Sequence, residues 1–250
     1  MNSLLCHARN VHSQNGEDGI LAEIFTRLGI SEGVFVDLGA GDGKTFSNTH
    51  SLLEAGWRGV VIDKNPENVE LLLGVWGEFP GKVRVIHRRI TERGRSSLDA
   101  VLQETDTPKD FDLLSIDVDG QDLQIWRSLS GYLPKVVVIE VNSSIPLGVR
   151  QIHGKGKQGA SFTSMRELGE WKGYLLACHT GNAVFVYRSL AEKLGLFDEE
   201  IADPDRLFSY NGPPIDPMAD PEGDPFVEET LDPVSASPGD LSDDGMEHVP

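Results

Sequence analysis

Apolar residues between positions 16 and 29 recur at helical spacing, with Ile20, Leu21, Ile24, Phe25 and Leu28 on one face. That pattern predicts an amphipathic helix, with Asn15 placed to cap it. Short apolar runs follow at 33–38, 59–63, 82–87, 111–117 and 135–141, separated by helix-length segments. The run Val136 to Ile139 shows no alternation, as expected of a strand buried on both faces. Strands alternating with helices predict a parallel sheet covered on both sides. Two further runs, 174–178 and 183–187, are separated only by His179, Thr180, Gly181 and Asn182. So short a connection permits an antiparallel hairpin but no helical crossover. The expected fold is therefore α/β, with a seven-stranded, mostly parallel sheet that ends in an antiparallel hairpin.

From about residue 198 the periodicity stops. Nine of the 14 prolines lie there, and so do 16 of the 40 acidic residues, against a single basic one, Arg206. The tail thus carries −15 of the formal net charge of −18, and residues 1–197 are close to neutral. A segment so poor in large apolar residues cannot offset its ordering entropy, and the expectation is a disordered acidic tail. It either solvates the chain or recruits a partner.

A near-neutral body lacks the basic face of a nucleic-acid binder. Cys6 and Cys178 form neither a disulfide framework nor a metal-finger spacing, which suits a reducing compartment. With polar residues near the N-terminus and no long apolar segment, the expectation is a cytoplasmic protein without nucleic-acid or membrane partners.

Phe35-Val-Asp-Leu-Gly-Ala-Gly-Asp-Gly43 is the most informative stretch. A strand delivers an acid, Asp37, and glycines on alternate positions follow: Gly39, Gly41 and Gly43. Glycine lets a ligand press against the backbone, which makes a nucleotide-type pocket at a strand end. A dinucleotide fingerprint would need glycine at position 44, where Lys44 stands. The acid-x-Gly-x-Gly-x-Gly spacing resembles the first motif of class I S-adenosylmethionine (AdoMet) methyltransferases.

The second strand again ends in an acid, Asp63, positioned to accept hydrogen bonds from ribose hydroxyls. Asn65 and Pro66 open the next helix. Ile90, after the third strand, could flank an adenine ring or belong to the core. The fourth strand runs into Asp117, Asp119 and Asp122, and the fifth into Glu140 and Asn142. Asp117, Asp119, Glu140 and Asn142 form an oxygen set suited to Mg²⁺, which could orient a substrate hydroxyl and lower its pKa. The alternative is that Asp117 and Asp119 cap the following helix and Glu140 pairs with a cation.

Residues 143–159 make a polar loop carrying Arg150, His153, Lys155 and Lys157, whose cations could hold an anionic substrate or close as a lid. Ser164-Met-Arg-Glu167 reads as a capping box for the next helix. Of the histidines that could act as general base, His153 stands ahead of His50 and His179, because the loop can bring it to the substrate.

Four blocks together resemble the FkbM-type methyltransferases: Ser13-Gln-Asn-Gly-Glu-Asp-Gly-Ile20; Phe35 to Gly43 with Ser47-Asn-Thr49; Gly56-Trp-Arg-Gly-Val-Val-Ile-Asp63-Lys-Asn-Pro66; and Asp112-Leu-Leu-Ser-Ile-Asp-Val-Asp-Gly120. Weaker matches are Val138-Ile-Glu-Val-Asn142 and Gly159-Ala-Ser161. The resemblance spans roughly residues 13–190 and implies a Rossmann-like AdoMet domain over 1–197, with 1–32 as an N-terminal helical cap. It further implies that the glycine turn holds the amino acid part of AdoMet and Asp63 the ribose, and that a sugar or natural-product hydroxyl is the acceptor. The Asn/Asp-Pro-Pro-aromatic signature of amine methylation does not follow the fourth strand, where Asp117-Val-Asp-Gly stands. Metal-dependent relatives carry Asp, Asp and Asn, whereas here Val141 separates Glu140 from Asn142. A non-catalytic AdoMet-binding scaffold that recruits a partner through the acidic tail is the alternative reading.

Overall fold

The structure, a computed structural model, describes residues 4–154, 159–196, 203–209 and 211. The proposed boundary at 197 and nearly all of the acidic tail lie outside the described residues.

Seven strands form one sheet: β1 (Val34–Leu38), β2 (Arg58–Asp63), β3 (Val83–His87), β4 (Leu113–Ile116), β5 (Val136–Glu140), β6 (Tyr174–His179) and β7 (Asn182–Tyr187). Their order is β3-β2-β1-β4-β5-β7-β6. The first five pair in parallel, and β7 is inserted antiparallel between β5 and β6. This is the order of the class I, Rossmann-like methyltransferase fold. Among the described residues six α-helices accompany the sheet: α1 (Glu17–Leu28), α2 (His50–Glu54), α3 (Pro66–Trp76), α4 (Leu98–Leu102), α5 (Asp122–Ser128) and α6 (Phe162–Trp171).

Successive residues of a strand point to opposite faces, so each strand feeds two cores. Val36, Leu38, Ile62, Leu114, Ile116, Val137 and Ile139 pack with Leu98, Val101, Trp126, Phe162 and Met165, which places α4, α5 and α6 on one face. Phe35, Val61, Leu113, Val136 and Val138 pack with Ile24, Phe25, Leu53, Leu72 and Trp76, which places α1, α2 and α3 on the other. No described helix is long and apolar enough to cross a membrane.

The helix starts confirm some sequence expectations and correct others. Asn65 accepts from the Glu67 N–H at 3.0 Å, with Pro66 at the first helical position of α3. Asn15 does not cap α1. Gly16 takes the cap position at φ +97°, and the Glu17 carboxylate accepts from the Asn15 N–H at 2.8 Å. The Ser164 capping box also fails. The cap of α6 stands three residues earlier, at Ser161, whose side chain accepts from the Ser164 N–H at 3.2 Å.

Parallel order reverses direction between β1 and β4, and open α/β sheets bind ligands at such a switch point. Beyond the end of β1, Gly39 donates its N–H to the Ile62 carbonyl at 2.9 Å, while Leu38 accepts from the Asp117 N–H at 3.0 Å. A Cβ on Gly39 would lie 1.6 Å from the Asp117 carbonyl oxygen, and its φ is +80°. Glycine is therefore required there by the neighbouring strand. Gly39→Ala should destabilise the fold by roughly 3 kcal/mol or more, from backbone collision and strain together. Urea unfolding measures this, and a loss under about 1 kcal/mol would contradict the packing.

Candidate functional site

A cleft of about 470 Å³ opens at the carboxyl ends of β1, β2 and β4. Gly39, Gly41, Asp63, Ile90, Asp117, Asp119 and His153 line it, so the fold brings together seven of the residues singled out by sequence. Lys64, Asn65, Asn68, Arg88, Arg89, Gln121 and Ile125 also line it and were not foreseen.

Asp63 organises the wall formed by the ends of β1 and β2. Its Oδ1 accepts from the Asn65 N–H at 2.7 Å, and its Oδ2 accepts from the Gly41 N–H and the Asn68 amide, both at 3.2 Å. A carboxylate has about four lone-pair sites, so three donors fix its orientation and leave one acceptor position. Asp63 is 5 % exposed, and an inward-facing acceptor of this kind suits a hydroxyl-bearing ligand. The three glycines serve different ends. A Cβ on Gly41, at φ +56°, would meet no atom within 4 Å, so this position leaves free space. A Cβ on Gly43 would lie 2.0 Å from the Trp76 indole nitrogen, so that glycine admits the packing of α3.

Asp37 is buried beneath the turn and does not line the cleft. The Thr49 hydroxyl donates to its Oδ2 at 2.6 Å. Burial pushes its carboxyl up to about 6 against the opposing pull of Thr49 and Ser115. Asp37 thus joins β1 to the residue before α2.

The acids after β4 sit on the opposite wall. Asp122 accepts the Val118 and Gly120 N–H groups, each at 2.8 Å, and so folds the turn back on itself. Asp119 takes a left-handed backbone, φ +59°, which aspartate tolerates better than most residues. Lys64 reaches the Val118 carbonyl at 3.3 Å and the Asp119 carboxylate at 3.9 Å, linking the two walls. Asp117 is enclosed by protein on most sides yet open to cleft water. Burial, then the carboxylates of Asp122, Asp119, Asp37 and Glu17, push it up to about 7. Burial, then Asp117, Asp122 and Asp119, push Glu140 up to about 7 as well.

The oxygen set expected at β4 and β5 is divided between two cavities. Asp117 and Asp119 line the main cleft, whereas Glu140 and Asn142 line a second one of about 290 Å³ with Ser143, Gly159 and Asn211. Neither Asp117 nor Asp119 caps α5, whose cap position is Gln121 with no side-chain bond, and Asp122 ties the turn before the helix to its first residue.

Of the three histidines considered as bases, His153 lines the cleft. Its ring packs on Gly120, where a Cβ would come within 2.4 Å of Nδ1. Its carbonyl accepts from the Gln124 amide at 3.1 Å. His50 is buried in α2, donates Nδ1–H to the Gly43 carbonyl at 2.8 Å, and lies away from the cleft. His179 Nδ1 accepts from the Ser209 N–H at 3.3 Å, so Nε2 carries the proton and donates to Ser143 Oγ at 3.0 Å. That tautomer cannot take a proton from Ser143, and burial pushes His179 down to about 4. Arg150 donates to Glu167 through three bonds of 3.1, 2.9 and 2.6 Å while its side chain stays 68 % exposed. Lys155 and Lys157 lie outside the described residues.

The seven-stranded sheet and its terminal hairpin are consistent with the class I, Rossmann-like methyltransferase fold. No family model matches the sequence, and comparison with curated proteins finds no relative. Among solved structures, the chain is similar to an S-adenosylmethionine-dependent methyltransferase from Clostridium acetobutylicum, at 9 % identity and TM-score 0.44, over 68 % of this chain and 89 % of that one. It is similar to a precorrin-6y C5,15-methyltransferase from Geobacter metallireducens, at 15 % identity and TM-score 0.43, over 71 % and 90 %. A candidate AdoMet-dependent methyltransferase from Methanococcus maripaludis aligns at 15 % identity and TM-score 0.33, over 48 % of this chain and only 53 %, about half, of that one. Likenesses this distant leave the activity to be read from the chain's own site.

The carboxyl groups have a measurable consequence. Asp117 and Glu140 move from ordinary values of 3.8 and 4.5 to about 7, so each binds its proton more tightly when folded. The stability they add is full below about pH 4 and is lost as pH rises to about 7. Urea midpoints of a D117N/E140Q chain should therefore fall less between about pH 4 and about pH 7 than those of the wild type. Equal falls would place the shifts elsewhere.

Proposed function

We propose that this chain is an AdoMet-dependent methyltransferase of the FkbM type that acts on a hydroxyl of a small molecule, a sugar or natural product. The carrying observation is Asp63, held by three donors with its carboxylate at the cleft, beside the open position of Gly41. An acceptor at the end of the second strand, next to backbone left bare by glycine, suits a ribose diol and the chain that follows it. Ile90, buried and lining the cleft, offers an apolar wall for a flat base.

The donor set also fits the charge of AdoMet. Asp117 and Asp119 face the cleft with Glu140 and Asp122 close enough to repel Asp117, and a cationic ligand would relieve that repulsion. When bound, AdoMet supplies a methyl group already activated by its sulfonium centre. What remains for the chain is alignment, exclusion of water and removal of one proton from the acceptor. His153 is the imidazole at the cleft, and Asp117, titrating about neutrality, is a carboxyl that can hold or release a proton there. Oxygen is favoured over amine because Asp117-Val-Asp-Gly occupies the place of the amine-methylating signature. Mg²⁺ on Asp117, Asp119, Glu140 and Asn142 forms no part of this reading: Asp117 and Asp119 line the cleft, Glu140 and Asn142 line the second cavity, and the transfer as proposed needs no metal.

Calorimetric titration of the full chain with AdoMet and, separately, with NAD tests the assignment. AdoMet should bind at micromolar concentration and NAD should not. Gly41→Val should abolish AdoMet binding, since its side chain would enter the open space at a strained φ. Wild-type affinity in that variant would refute the placement.

A second readout comes from the acids. Ionised Asp117 attracts a cation and protonated Asp117 does not, so AdoMet affinity should rise as pH increases through about 7. D117N should flatten that profile, and an unchanged profile would remove Asp117 from the site.

A further inference from the structure

His12, His50 and Glu54 lie outside the cleft, where the N-terminal segment crosses α2. We propose that they form a binding site for a divalent transition ion of the zinc kind. Their ligand atoms all lie within 4.8 Å of one another, the sole such His, Cys, Asp or Glu trio found among the described residues. His12 Nε2 is 3.2 Å from Glu54 Oε2, and His50 Nε2 is 3.7 Å from Glu54 Oε1. Donors bonded to one tetrahedral ion at about 2.0–2.2 Å sit roughly 3.3 Å apart, close to the two histidine–carboxylate distances.

The surroundings prepare each ligand. His50 gives its Nδ1–H to the Gly43 carbonyl at 2.8 Å, which fixes the ring and turns Nε2 toward Glu54. An outer hydrogen bond to a backbone carbonyl is the usual support of a metal-bound imidazole. Glu54 stands four residues after His50 and therefore on the same face of α2. His12 is positioned by the backbone around it. Asp18 Oδ2 accepts the N–H groups of Val11, His12 and Ser13 at 2.8, 2.8 and 2.7 Å, and Oδ1 accepts the Ser51 hydroxyl of α2 at 2.5 Å.

Two imidazoles and one carboxylate suit Zn²⁺ and its neighbours, whereas Mg²⁺ and Ca²⁺ prefer oxygen throughout. The Glu54 side chain is 48 % exposed, which leaves an outward coordination position for water. A bound ion would join the N-terminal segment to α2 and, through His50, to the turn of the glycine loop. The site does not depend on the identity of the cleft ligand.

The test is a calorimetric Zn²⁺ titration of the full-length chain after chelator treatment, without AdoMet. Wild type should bind one equivalent that Mg²⁺ does not displace. His12→Asn and Glu54→Gln, both at partly exposed side chains, should weaken it roughly tenfold or more. His7→Asn should leave it unchanged. Bound Co²⁺ should give the strong visible absorption of a low-coordinate site in wild type and lose it in His12→Asn. Failure of wild type to bind Zn²⁺, or equal binding in both ligand variants, would overturn the proposal and leave an ion pair between Glu54 and the histidines.

Discussion

The close passage of Gly39 beneath the Asp117 carbonyl is the constraint on which the rest of the site depends. Because no Cβ intervenes, the chain leaving β1 stays hydrogen-bonded to β2 on one side and to β4 on the other. The strand-end acids of β2 and β4 therefore stand on opposite walls of one cleft. Their spacing is set by backbone contact below, and Lys64 reaches across the rim to the Val118 carbonyl and the Asp119 carboxylate. A cleft fixed in this way costs little reorganisation when a ligand enters.

The electrostatics follow from the same geometry. Parallel strands end on one edge, so their terminal acids converge there. Asp63 is satisfied by three donors, whereas Asp117 is surrounded mainly by other acids. One wall is thus an organised acceptor, and the other holds unbalanced negative potential that favours a positively charged occupant.

The sheet was legible in the sequence because each strand is a short apolar run, and because a four-residue connection between the last two admits only a hairpin. The observed strands fall within a residue or two of the expected runs. Asp63 was legible as an acid at a strand end, and Asn68 could have been added, since it follows on the same turn of α3. The separate reasons for Gly39, Gly41 and Gly43 were not legible. They depend on Asp117 and Trp76, partners remote in sequence. The helix caps misled for a related reason. Asn15 and Ser164 have suitable chemistry, but the cap positions fall to Gly16, in a left-handed backbone, and to Ser161, in an extended one. Nothing in the local pattern marks the partners of Glu17 and Asp18: Glu17 accepts from Thr180 and Asn182 of the hairpin, and Asp18 gathers three backbone donors.

The sheet has two borders, and they are finished differently. At β3 the exposed side chains are Arg84 and His87, and Arg84 reaches the Glu104 carbonyl at 2.7 Å. Charge at a border discourages a strand from another molecule. At the other border, all six residues of β6 are buried, the pairing is interrupted between Leu176 and Cys178, and the short 3-10 segments Arg188–Leu194 and Pro204–Leu207 lie against it. Those two segments shield backbone that would otherwise template aggregation. A chain shortened before residue 188 would keep every cleft residue and yet expose its most apolar border to other copies of itself.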